Sequence, residues 1–173
     1  RSPQDLYRLT IEYLEDASKH NIRHSEFSWN PTGTAQVSGI AYPQAQDAIV
    51  TAIRDAQSQF GITGRLIAAI DREASPEAAV EMVEWMTANR SDEVVGIGID
   101  YREVDRPPEM FQQAYADARR AGLKTTAHAG EFGMPWTNVR TAIDVLKVDR
   151  IDHGYTVVDN PAFARECADR GVI

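Results

Sequence analysis

Short apolar runs alternate with helical stripes along the whole chain, the pattern of repeated β/α units on a parallel sheet. Ser2-Pro3 predicts an N-cap followed by proline at the first helical position, and Leu6, Leu9, Tyr13 and Ala17 continue as one apolar face. Ile22 to Trp29 is expected to be a strand, followed by a Gly-, Pro-, Thr- and Ser-rich loop from Asn30 to Tyr42. Pro43 then starts a helix with Ala45, Ala48, Ile49, Ala52, Ile53 and Ala56 on one side, ended by Gly61. The same alternation continues to the last residue. Strands are predicted at Arg65 to Ile70, Val94 to Ile99, Lys124 to Ala129 and Ile151 to His153. Helices are predicted from Ser75-Pro76-Glu77, from Pro107-Pro108 to Gly122, from a Thr137 cap, and from Asn160-Pro161 to Gly171. Val172-Ile173 looks like the beginning of another strand.

Five strand–helix units result, with one helix in front and no linker or composition break, so residues 1–173 are expected to form part of one domain. The rhythm alone allows a closed (β/α)8 barrel or an open doubly wound sheet. No glycine-rich phosphate loop follows any strand, and Gly96 and Gly98 lie inside one.

Charge narrows the ligand. Lys+Arg 18 against Asp+Glu 26 gives a net charge of -8, which suits a small-molecule ligand or a protein partner and argues against nucleic acid. Apolar runs such as Leu66 to Ile70 are too short to span a bilayer, and no signal segment opens the chain. The lone Cys167 agrees with a reducing compartment, and a cytoplasmic location is expected. Oligomeric state is left open.

Ionisable residues gather where strands end: His24 to Trp29, Asp71-Arg72-Glu73, Asp100 to Glu103, His128 to Glu131, and Asp152 to Tyr155. In a barrel these ends share the face that carries active sites, and so many charges are hard to explain as packing. A strand-end imidazole such as His128 can ligate Zn²⁺, and a carboxylate three residues later, Glu131, can reach the same pocket and move protons. The residues alone also allow a His128 bonded to backbone and a Glu131 that caps a helix. His153 alone fits a structural histidine; its place at the next strand end draws it towards the same site.

Thr125-Thr126-Ala127-His128-Ala129-Gly130-Glu131 followed by Arg150-Ile151-Asp152-His153-Gly154-Tyr155 closely resembles the adenosine and adenine deaminase family. The resemblance runs more weakly through the whole chain, with Val95 to Pro108 similar to the bacterial adenine deaminase-like branch. It implies an α/β fold, a (β/α)8 TIM barrel present here from about strand 2 to strand 6, with one Zn²⁺ per site. By position, His128 resembles the zinc-ligating histidine of the fifth strand. Glu131 resembles the glutamate that protonates the purine at N1, and His153 the histidine that positions or deprotonates the attacking water. The implied reaction is hydrolysis at C6 of a 6-aminopurine to the 6-oxopurine, with loss of ammonia or an amine. A cytidine-deaminase type of zinc site, rich in cysteine, does not fit one cysteine.

The family's H-x-H of the first strand and the paired aspartates of the eighth do not occur in these 173 residues. The expectation is therefore a central piece of a longer protein, inactive as it stands, with the remaining zinc ligands elsewhere. Asp71-Arg72 stands where members typically place Arg-His, and Asp100 to Glu103 replaces a glycine-containing turn. These departures widen the expected substrate to adenosine, adenine or an N6-substituted adenine. Ile70, Arg102, Glu103 and Gly130 are the expected substrate-binding residues, with ion pairing an equal account of Arg102 and Glu103. Two alternatives stand beside this reading: a non-catalytic barrel of the same lineage that binds a ligand or partner, and a metal-dependent hydrolase of a non-purine ring.

Overall fold

A computed structural model describes residues 2–173. Five strands lie in one sheet in chain order: β1 (His24–Trp29), β2 (Thr63–Asp71), β3 (Val94–Asp100), β4 (Lys124–Ala129) and β5 (Arg150–His153). The pairings of β1 with β2, β3 with β4, and β4 with β5 are all parallel. Helices α2 (Pro31–Ser38), α3 (Tyr42–Phe60), α4 (Pro76–Ala88), α5 (Gln112–Arg120) and α6 (Trp136–Thr141) lie in the crossovers that parallel strands require, with α1 (Pro3–Lys19) before β1 and α7 (Pro161–Arg170) after β5. Among the described residues no helix is long and apolar enough to cross a membrane.

Most element boundaries follow from end signals. Ser2 caps α1, and Asp5 accepts from both the Ser2 N–H (2.9 Å) and the Ser2 hydroxyl (3.1 Å). Gly61 ends α3 and Gly171 ends α7 at φ of 70° and 64°, a backbone that glycine adopts without Cβ conflict. Asn160 caps α7 by accepting from the Phe163 N–H at 3.1 Å. Val172-Ile173 carries one ladder-like bond, from the Ile151 N–H to the Ile173 carbonyl at 2.7 Å.

Two expectations fail. The stretch from Asn30 to Tyr42 is not a loop, because α2 occupies its middle. Its loop-like residues serve as helix ends instead. The Asn30 side chain accepts from the Gly33 N–H at 2.7 Å, Pro31 opens the first turn, and Gly39 closes the helix at φ 72°. Trp29 Nε1–H adds a bond to the Thr34 hydroxyl at 2.8 Å. Thr137 does not cap α6 either. Pro135 does, its carbonyl accepting from Asn138 N–H at 2.9 Å, so Thr137 lies within the first turn. The helix then widens into a π turn at Ala142–Leu146 and stops at Lys147 in the left-handed region.

The chain forms two compact units. The first comprises the residues up to Ala68 together with Trp85–Val95. Its core holds Leu14, Ile49, Ile53, Ile62 and Leu66, each at most 2 % exposed. Tyr13 packs edge-on to Phe27 at 5.4 Å, and Tyr7 donates to Asp55 at 2.8 Å. Arg54 holds both Glu93 carboxylate oxygens, at 2.7 and 2.9 Å, which pulls that carboxyl down to about 2.

The second unit comprises Ala69–Glu84 and Gly96–Ile173, and it carries the chemistry. Phe111, Tyr115, Ile97, Ala127, Leu146 and Phe163 form its core. Tyr115 is wholly buried and donates to the Thr126 carbonyl at 2.7 Å, so its one polar atom does not go unsatisfied. Met82 is fully buried here as well.

Candidate active site

Strand β4 delivers His128 and Glu131 because its apolar body, Ala127 and Ala129, is buried while the chain leaves the sheet immediately afterwards. Gly130 makes that exit. Its φ is 69°, and a Cβ there would stand 2.3 Å from Thr156 Oγ1 and 2.8 Å from Val139 Cγ2. Only glycine fits both the backbone and the space.

Strand β5 delivers His153. Its register pairs His128 with Asp152 and Ala129 with His153. Side chains alternate across a strand, so that register would put Asp152, not His153, on the His128 face. The chain departs from extended geometry at that point. His153 takes a left-handed φ of 70° and Gly154 follows at 66°. The Gly154 N–H donates to the Ala129 carbonyl at 2.9 Å, which ties the two strand ends together. The His128 and His153 rings consequently meet edge to face, 4.6 Å between centroids.

Glu131 stands against both rings. Its Oε2 lies 3.4 Å from His153 Nε2 and 3.9 Å from His128 Nδ1. One ligand atom from each of the three residues falls within 4.8 Å of the others, a group able to hold a metal ion. Burial, followed by the neighbouring His153, pulls the His128 imidazole below its ordinary pKa. This favours the neutral ring, the form that binds zinc. Two imidazoles and a carboxylate are a suitable donor set for that ion.

The substrate-binding candidates lie in different environments. Arg102 is exposed and lines an open cleft with Glu73, Val104 and Arg106. Ile70 is 1 % exposed, within the apolar body of β2, and Gly130 is buried beneath Thr156. Glu103 is 2 % exposed and its oxygens are taken by protein donors. The Glu131 N–H donates to Oε2 at 2.8 Å and Asn138 Nδ2 to Oε1 at 3.1 Å.

Two participants were not among the expected site residues. Arg72 is wholly buried, stands 3.7 Å from Glu103 Oε1, and donates to the carbonyls of His128 (2.6 Å) and Arg106 (3.0 Å). Asn138 reaches the same carboxylate from α6. A signal for Arg72 was present: an arginine following an apolar strand is seldom buried without a partner. Asp100 at the end of β3 also feels this environment, since burial and then Asp71 push its carboxyl up to about 6.

Parallel strands that gather ionisable side chains at their C-terminal ends are the mark of the α/β barrel class, which carries its active sites on that face. Within that class the chain belongs to the adenosine deaminase family, whose model matches residues 1–173. Among solved structures, a zinc-bound amidohydrolase from Burkholderia ambifaria is 65% identical with a TM-score of 0.98, covering 99% of this chain and 47% of that one. An adenine deaminase from Arthrobacter aurescens is 32% identical with a TM-score of 0.93, covering 99% and 52%. The adenine deaminase of Sphingopyxis alaskensis is 40% identical over 166 residues, 95% of this chain and 48% of that protein. These likenesses establish the α/β barrel fold. The chain spans about half the length of the relatives it matches.

Proposed function

We propose that the intact protein carrying this chain hydrolytically deaminates a 6-aminopurine, and that adenine is the first substrate to try. The observation that carries the reading is the convergence of His128, Glu131 and His153 ligand atoms within 4.8 Å at two adjoining strand ends. The family membership and the relatives named adenine deaminase support the substrate class.

His128 is the residue here that would hold zinc, with the further protein ligands contributed by segments beyond these 173 residues. Such a metal supplies the Lewis acidity that turns water into a nucleophile at neutral pH. The residues of this chain do the proton work. Glu131 delivers a proton to ring nitrogen N1, so that charge does not build up on the purine as water adds at C6. His153, 3.4 Å from the same carboxylate, orients the attacking water and takes its proton. His153 passes that proton to the C6 amino group, the C6–N bond breaks with loss of ammonia or an amine, and the C6 hydroxyl returns its proton to Glu131 as the 6-oxopurine forms. Arg102, with its exposed side chain, is the candidate substrate contact, while Ile70 and Gly130 are buried candidates from the sequence.

The test is ammonia release by the full-length, zinc-loaded protein across adenine, adenosine and N6-substituted adenines, with Glu131→Gln alongside. Turnover of one purine, lost in the variant, supports the reading. Zinc bound with every purine untouched would move the assignment to a non-purine ring, and neither zinc nor turnover would leave a binding barrel.

A further inference from the structure

Resting on the reading of His128 and Glu131 as working groups, we propose that the buried pair Arg72–Glu103 is the positioning device of this site. It fixes both residues through their main chain. The two side chains are fully shielded from solvent and stand 3.7 Å apart. Arg72 holds the His128 carbonyl at 2.6 Å, and Glu103 holds the Glu131 N–H at 2.8 Å. The string from His128 to Glu131 is thus gripped at its first carbonyl and its last amide by two charges that also attract each other. Gly130, crowded by Thr156 and Val139, leaves the string little room to drift between those grips.

The chemistry of the pair is specific to this task. Two donors and a cation converge on Glu103: the Glu131 N–H and Asn138 Nδ2 donate to it, and the Arg72 guanidinium faces it as an ion-pair partner. A carboxylate accepts from both donors and answers the cation, whereas an amide would turn its own N–H towards one of these partners and carry no charge. The planar fork of Arg72 reaches two carbonyls at once, those of His128 and Arg106. A lysine ammonium is a point charge on a flexible stem and cannot reproduce that fork. Stability alone is a poor reason to bury these charges, since well-packed apolar residues often do as well or better. Orienting the His128–Glu131 backbone gives the burial a purpose. The outer partners of metal-binding and catalytic groups typically act this way.

The experiment uses the full-length, zinc-loaded protein with Glu103→Gln, Arg72→Lys, and the double change Arg72→Met with Glu103→Leu. Five quantities are read: melting temperature, kcat and KM on the purine substrate, zinc affinity by chelator competition, and hydrogen exchange at the Glu131 amide. In each folded variant kcat and zinc affinity are expected to fall about 10–100-fold, as for other lost outer partners. KM should change little, and the Glu131 amide should lose its protection. The double variant leaves no lone buried charge and is expected to melt near the parent while remaining slow. Parental kcat and zinc affinity in that variant would reduce the pair to a structural role and overturn the proposal. If the parent turns over no purine, the proposed reaction fails while this inference is still judged, by zinc affinity and amide protection. Both unchanged in the variants would overturn it; both lowered would uphold it.

Discussion

Nε2 of His153 lies 3.4 Å from Oε2 of Glu131, although strand register assigns the His153 side chain to the face opposite His128. The left-handed backbone at residue 153 resolves the conflict by re-aiming the imidazole at the end of β5. The site is therefore assembled by departures from regular strand geometry at Gly130 and His153, in chain that is otherwise regular β4 and β5.

Glu131→Gln removes the proton donor and keeps the shape. The kcat for the purine substrate should fall by about 10²–10⁴, the range for a lost general acid–base group. Steady-state ammonia release reads the loss, and zinc content measured on the same sample should stay near the parent's. A variant within a few-fold of the parent would remove Glu131 from the chemistry.

His128→Ala is expected to act on the metal first. A catalytic zinc site commonly has three protein ligands, and losing one weakens it sharply. Elemental analysis after gel filtration should show zinc well below the parent's stoichiometry. Full zinc occupancy in this variant would show that His128 is not a ligand.

Gly130→Ala should destabilise the fold. The added methyl meets Thr156 Oγ1 at 2.3 Å and Val139 Cγ2 at 2.8 Å. Overpacking of this kind costs about 1–3 kcal/mol, and a left-handed backbone on a non-glycine residue adds roughly 1 kcal/mol. Denaturant unfolding of the parent and variant checks the size, and equal midpoints would contradict the packing at this turn.

How far the sequence revealed this site depended on how local its signals were. His128, Glu131 and His153 stood out because they lie in two short strings, His128 to Glu131 and Asp152 to Tyr155, that resemble the deaminase family, whereas their residue types alone allowed structural roles. The Arg72–Glu103 pair did not, because its meaning lies in contacts to backbone atoms of a distant segment, and backbone atoms carry no letter in the sequence. For Glu103 the sequence left a pocket role and ion pairing equally open, and its oxygens accept from Glu131 and Asn138 beside Arg72. Helix α2 was hidden for a different reason: Asn30, Pro31 and Gly39 are residues that loops and helix ends use alike.

Asn30→Ala tests that last point. It deletes the side-chain acceptor of the Gly33 N–H, 2.7 Å away, and a lost N-cap costs about 0.5–2 kcal/mol. A lower unfolding midpoint is expected, with faster hydrogen exchange at Gly33. Unchanged exchange there would mean that the cap contributes nothing.

Asp100 gives the fold a pH dependence of predictable sign. Its carboxyl is pushed up to about 6 from the ordinary 3.8 by burial and by Asp71, so the folded state holds the proton that the unfolded chain releases. Its contribution is fully favourable below about pH 4 and is lost as the pH rises through about 6. Asp100→Asn should flatten that part of the stability curve, measured by denaturant unfolding between pH 4 and pH 7. A slope in the variant equal to the parent's would assign the dependence to other groups.

The left-handed backbone at His153 sets two kinds of fitness against each other. A non-glycine residue held there carries strain on the order of 1–3 kcal/mol, and glycine would release it while removing the imidazole. A survey of substitutions ranked by melting temperature alone would drift towards glycine at position 153. The same survey ranked by turnover would reject it, so a sturdier version of this protein has to gain its stability at some other α-carbon.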